Sequence, residues 1–238
     1  MNKKILTIII TSLIIIAIAI IAIKLVSDLN KETTIKNEVK EINIYINLNQ
    51  NANDKINEVL TRRQITKGKY KNIENDIKEY YQALYSDIQN YTFLIASDTF
   101  ASYLSSDNLS EDKPSFIKSK DNLQNTKAQI EEYYNKLKDD LNSEATKLNY
   151  ITNQKLDTYY RNFYLELTEM VNKEELLKEL DKTYQDTLSK IDIYNEALDF
   201  LIANKGHWSI KNNVIIFDDN LLYEGYLKIT DKLEVSEN

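Results

Sequence analysis

His207 is the only histidine of the 238-residue chain, and beside it stands the only tryptophan, Trp208, directly after Gly206. An imidazole at this point could serve as a general base or a metal ligand. The first role needs a nucleophile and an orienting carboxylate within reach, the second needs further nitrogen, sulfur or carboxylate ligands. With one His and no Cys, the usual zinc sets and nucleophile–base pairs lack their members. Gly-rich phosphate loops and EF-hand spacing are missing from the sequence as well. His207 therefore reads as a surface or packing residue. No catalytic, cofactor-binding or metal-binding residue is assigned, and the chain is expected not to be an enzyme.

Adjacent carboxylates at Glu131-Glu132, Asp139-Asp140 and Glu174-Glu175 are the next candidates, for acid–base work or for a cation. Two carboxylates that share a substrate must face each other across it, whereas neighbours on a helix diverge by about 100°. They read as solvated helix faces. The tyrosine pairs Tyr80-Tyr81, Tyr133-Tyr134 and Tyr159-Tyr160 could stack on sugars or peptides. The same divergence predicts one ring of each pair in the core and the other half-exposed.

The elements that carry these residues follow from composition. Three Gly and one Pro leave few helix breakers, and 42% hydrophobic residues are enough for a core, so long helices are expected. A net charge of −7, from 30 Lys and Arg against 37 Asp and Glu, argues against a nucleic-acid partner.

At the amino terminus, Lys3 and Lys4 precede an uncharged run from Ile5 to Ile23, closed by Lys24. As a helix this run is roughly 28 Å long, close to the ~30 Å hydrocarbon core of a bilayer. Ala17-Ile18-Ala19 resembles a signal-peptide cleavage site, but Ile20-Ile21-Ala22-Ile23 continues the apolar run where a polar stretch should follow. Residues 1–28 are therefore expected to be an uncleaved signal anchor, a single-pass transmembrane helix. The short tail places the amino terminus inside and the rest of the chain outside the cytoplasm, although the flanking lysines divide almost evenly.

Residues 29–205 read as an elongated antiparallel helical bundle or coiled coil with a break near 105–115. Ile35, Val39, Ile42, Ile46, Asn49, Asn53, Ile56 and Leu60 step alternately by four and three, a coiled-coil seam whose two asparagines set register or partner number. Gly68 is expected to stop this helix. A second, from about Tyr70 to Leu104, should pack antiparallel on it, with Tyr70, Ile73, Ile77, Tyr81, Leu84, Ile88, Tyr91 and Ile95 inward. The third runs unbroken from Phe116 to Met170, with Ala145 and Tyr159 on its inner face. The fourth starts after Asn172 and ends at Gly206.

Residues 206–238 are expected to form a small β-hairpin and helix cap. Trp208–Lys211 and Val214–Phe217 flank Asn212-Asn213, a pair that tolerates the positive φ of a type I′ turn. The register puts Trp208, Ile210, Ile215 and Phe217 on one face, to be buried on the fourth helix and on a terminal helix opened by Asp218-Asp219-Asn220. Trp208 is expected to be a buried anchor. The rival expectation makes Trp208, Val214 and Ile216 a partner-contact patch.

Together these features predict a membrane-anchored, extracytoplasmic helical protein that works by binding, spacing or scaffolding. Its partners would be the membrane, through the first helix, and a protein or a second copy through the helical seam. The alternative is a ligand-sensing ectodomain, because two long helices rising from a membrane span broadly resemble the input domains of bacterial chemoreceptors. That resemblance is one of layout only, and no run after Ile23 is apolar enough to form the returning span a receptor requires.

Overall fold

A computed structural model describes residues 3–46, 53–96, 100–153 and 155–235; within these, the side chains of 3–15, 53 and 234–235 lie outside the description. The chain is mainly helical with one two-stranded sheet near the carboxyl end. The elements are α1 (Lys3–Tyr45), α2 (Asn53–Thr61), α3 (Lys69–Ile95), α4 (Ser106–Asp112), α5 (Ile117–Asn142), α6 (Glu144–Leu148), α7 (Thr158–Thr168), α8 (Lys173–Ala203), β1 (Trp208–Lys211), β2 (Val214–Phe217) and α9 (Asn220–Val235). They divide into two compact units. Met1–Asn47, Asn51–Gln82 and Glu144–Asn172 belong to the first, and Ala83–Ser143 with Lys173–Asn238 to the second.

In the first unit the seam residues Ile35, Val39, Ile42, Ile46, Ile56 and Leu60 are buried, but one continuous helix does not carry them. Asn49 and the side chain of Asn53 lie outside the described residues. α1 ends at Tyr45, and α2 has turned back along it. Arg62 makes two hydrogen bonds to Glu41, at 2.9 and 3.1 Å, across a separation that would be roughly 30 Å on an unbroken helix. The backbone from 63 to 67 is then irregular, and α3 starts beside the middle of α1. Tyr70 bonds Glu32 and Lys78 bonds Glu38, so contacts advance in the same direction on both helices. The antiparallel pairing expected of these two helices is thus corrected to a parallel one, because α2 and the loop after it are the return leg. Gly68, at φ +67°, precedes α3 and stops neither α1 nor α2.

α3 ends at Ile95, earlier than Leu104. The expected third helix is also interrupted, at Ser143 and again between Leu148 and Thr158. These breaks redirect side chains. Ala145 and Tyr159 are exposed and Lys147 is buried, the reverse of the unbroken helical phase. Tyr80 and Tyr81 are both fully buried, because one ring lies edge-on to Tyr150 while the other donates its hydroxyl to the Leu167 carbonyl at 2.9 Å. The expectation of one core ring per pair fails there, since α3 is covered on two sides, and it fails in the other direction at Tyr133-Tyr134, both half-buried, and at Tyr159-Tyr160, one exposed and one half-buried.

In the second unit α5 and α8 run antiparallel. Tyr134 stacks on Tyr184 with ring centroids 3.9 Å apart and donates to Asp181, while Lys120 pairs with Asp199. Phe116, just before α5, is in the left-handed region at φ 49° and fully buried. The ring's burial against Trp208 opposes the cost that conformation has for a bulky residue. The hairpin has the expected register, Trp208 opposite Phe217 and Lys211 opposite Val214. Both turn residues have positive φ, 52° at Asn212 and 61° at Asn213, as a type I′ turn requires. Asp219 caps α9 by accepting the Leu221 N–H at 2.7 Å.

A β-branched side chain resists the left-handed region more than asparagine does, so Asn213→Val should destabilise the hairpin by about 1–2 kcal/mol. Asn213→Gly should leave it unchanged or slightly firmer. Urea unfolding followed by the emission of Trp208 reads both.

Candidate functional site

Charges gather inside the first unit where α1, the return loop and α3 meet. Glu38, Glu74 and Lys78 are all buried. Glu74 and Lys78 are one turn apart on α3, and Lys78 Nζ lies 3.1 Å from Glu74 and 3.3 Å from Glu38. It also donates to the Arg62 carbonyl at 3.2 Å. Glu74 accepts the Ile65 N–H at 3.0 Å, the Thr66 N–H at 2.9 Å and the Thr66 hydroxyl at 2.6 Å. Burial alone would push the Glu74 carboxyl up, but these donors and Lys78 outweigh it and hold the group below its usual range. Glu38 has fewer donors; burial raises it, Lys78 opposes that only in part, and the charge of Glu74 adds to the rise.

The consequence is a loop whose backbone is tied inward at Ile65 and Thr66. Thr66 is buried, while the Ile65 side chain beside it is 58% exposed. A further carboxylate of α3, Asp76, is buried on the same helix and accepts the Thr152 hydroxyl at 2.8 Å. Burial raises it, and the bonds from Thr152 offset part of the rise. None of these four charges stood out in the sequence. The i, i+4 spacing of Glu74 and Lys78 was the available signal, and that spacing is equally common on solvated faces.

The second unit contains a buried carboxylate pair. Asp87 and Asp140 are 5% and 2% exposed, and Lys136 reaches Asp87 at 2.9 Å. Burial, then the negative charge of Asp87, push Asp140 up to about 6. The reading of Asp139-Asp140 as a solvated pair is therefore corrected: Asp139 is exposed and Asp140 is inside. Glu131-Glu132 and Glu174-Glu175 are exposed, as solvated faces should be.

The three candidate contact residues of the hairpin separate by face. Trp208 is half-buried, stacked at 6.0 Å on Phe116, with its indole N–H donating to the Leu201 carbonyl at 2.8 Å. Phe217 packs edge-on to Phe200 and against Tyr226. Full burial of Trp208 is corrected to half, because the hairpin covers the end of α8 with one face and α9 reaches the Phe217 side of it. Val214 and Ile216, on the other face, are exposed. Phe116 and Phe200 complete this docking and were missed, since their roles depend on contacts distant in sequence. His207 is exposed. Among the described residues no three His, Asp or Glu side chains gather closely enough to hold a metal ion.

Two substitutions test the buried charges. Glu74→Gln removes one partner of a buried pair and should cost about 3 kcal/mol, with faster amide exchange at Ile65 and Thr66. Asp140 binds its proton more tightly folded than unfolded, so ionising it opposes folding; the penalty grows as pH rises from about 4 to about 6 and is complete above that. Asp140→Asn should therefore raise Tm at pH 7.5 and give little or no gain at pH 4, read by thermal unfolding at the two pH values.

No protein-family model, curated protein or solved structure matches this chain.

Proposed function

We propose that the first half of α1 is a membrane anchor and that the remaining chain works outside the cytoplasm by binding or spacing, without a catalytic step. Among the described residues, no helix is long and apolar enough to cross a membrane. The side chains of 3–15, which supply most of the run from Ile5 to Ile23, lie outside the description. The observation that carries the proposal is in the part that is described. Ile16, Ile18, Ile20, Ile21, Ile23, Leu25, Val26 and Leu29 are each between 54% and 71% exposed.

At 100° per residue those eight side chains point around the whole circumference of the helix. A protein partner would cover one stripe and leave the others in water. Hydrocarbon covers every side equally, which makes lipid the solvent that suits an evenly apolar helix. The backbone supports the same reading, since α1 is one uninterrupted helix from Lys3, and a helix satisfies its own polar groups as a spanning segment must.

The full-length chain should stay with the membrane fraction through an alkaline carbonate wash, and Ile18→Lys with Ile21→Lys should move most of it to the supernatant. Protease added to intact cells should digest the part beyond Lys24; digestion only after lysis would overturn the outward orientation.

A further inference from the structure

The loop before α3 is held firmly and yet presents an isoleucine to solvent. An exposed aliphatic side chain on a mobile loop needs no explanation, but here the buried Glu74 carboxylate takes the N–H groups of both Ile65 and Thr66, so the backbone that carries the exposed Ile65 side chain is fixed. The side chain lines an open groove of ≈ 470 Å³ against α1, together with the apolar Ile23 and Val26 and the cationic Lys31 and Lys67. Ile23 is the last residue of the apolar run. The return leg of the fold has thus brought the loop back to the level at which the anchor would leave the hydrocarbon.

The charges of this groove have one sign. No carboxylate lines it. Lys31 is bound to Asp28 at 3.0 Å, and Glu32 accepts the hydroxyls of Tyr70 and Tyr159. Lys67 has no ion-pair partner among the described residues and is exposed, as is Arg63 on the same loop. Apolar side chains continuous with the anchor, in one groove with a cation that has no ion-pair partner among the described residues, are complementary to a lipid at the bilayer surface, which joins acyl-chain carbons to a phosphate.

We infer that the groove between α1 and the Arg63–Gly68 loop binds the headgroup region of an anionic phospholipid, with Ile65 inserted at the interface and Lys67 facing the phosphate. The inference rests on the membrane-anchor reading, since only an anchored α1 brings the groove to a bilayer. The groove then acts as a second attachment point, which fixes the rotation of α1 about its axis and its tilt, two freedoms that a single spanning helix leaves open.

The chain has no cysteine, so one introduced thiol labels one position. Ile65→Cys and Ile18→Cys, each in the full-length chain, carry an environment-sensitive fluorophore; Ile65 is exposed, and circular dichroism verifies that the fold is kept. Each is reconstituted in vesicles of phosphatidylcholine alone or with about a third phosphatidylglycerol, with nitroxide-labelled lipids as quenchers. The expected result is quenching at 18 by a deep nitroxide in both vesicles. At 65, a shallow nitroxide should quench, at least twofold more with phosphatidylglycerol, and Lys67→Glu should abolish that difference. Quenching at 18 without quenching at 65 overturns the groove and leaves the anchor standing. Quenching at neither position overturns both. Equal quenching at 65 in the two vesicles overturns the anionic preference. A blue shift at 65 that already appears in detergent and grows with protein concentration overturns the lipid in favour of a second copy. Loss of the 65 signal on adding millimolar inorganic phosphate assigns the cation to free phosphate and overturns the lipid.

Discussion

A charge taken out of water must be met by an opposite charge or by hydrogen-bond donors, and α3 takes four of them inside: Glu74, Asp76, Lys78 and Asp87. Each determines the position of another segment. Glu74 ties the return loop at Ile65 and Thr66, Lys78 reaches Glu38 of α1, and Asp76 holds Thr152 in the break between α6 and α7. In the second unit, Asp87 is matched by Lys136 of α5. Hydrophobic burial alone would let α3 rotate or slide against its neighbours, whereas these pairings hold only in one register.

That constraint has costs that differ from one buried carboxylate to the next. Glu74 has enough donors to remain charged comfortably, and its stabilisation is kept above its usual titration range and lost as pH falls below it. Asp140 is in the opposite position, because burial, and then the negative charge of Asp87 close by, disfavour its ionised form. Its contribution runs the other way with pH. Acid therefore loosens the Glu74 tie at the return loop, while protonation of Glu38 and Asp76 in the first unit and of Asp140 in the second relieves the cost of burying their charges.

The proposed anchoring draws on the same arrangement. A single apolar helix holds a protein at a bilayer but leaves it free to spin about the helix axis. In the first unit α2 and the loop retrace α1, so that a segment far along the chain returns to the lower part of the helix from which the chain started. A loop tied by a buried carboxylate keeps the groove shape that a lipid contact needs, and the parallel course of α3 beside α1 follows from the same return.

The helical class, the inward face of α3, the start of α8 after Asn172 and the hairpin with its register were all legible in the order of residues. Each is a local property: helical period, cap residues, and two asparagines that accept positive φ. The breaks after Tyr45, Asn142 and Leu148 were not legible, since none of them carries Gly or Pro, and the parallel pairing of α1 and α3 depends on the first of them. The burial of Asp140 and Lys147 and the exposure of Tyr159 likewise arise from packing. A helix ends without a breaker when the burial achieved by turning outweighs the few hydrogen bonds given up, and that burial joins residues tens of positions apart. No window of local sequence contains them.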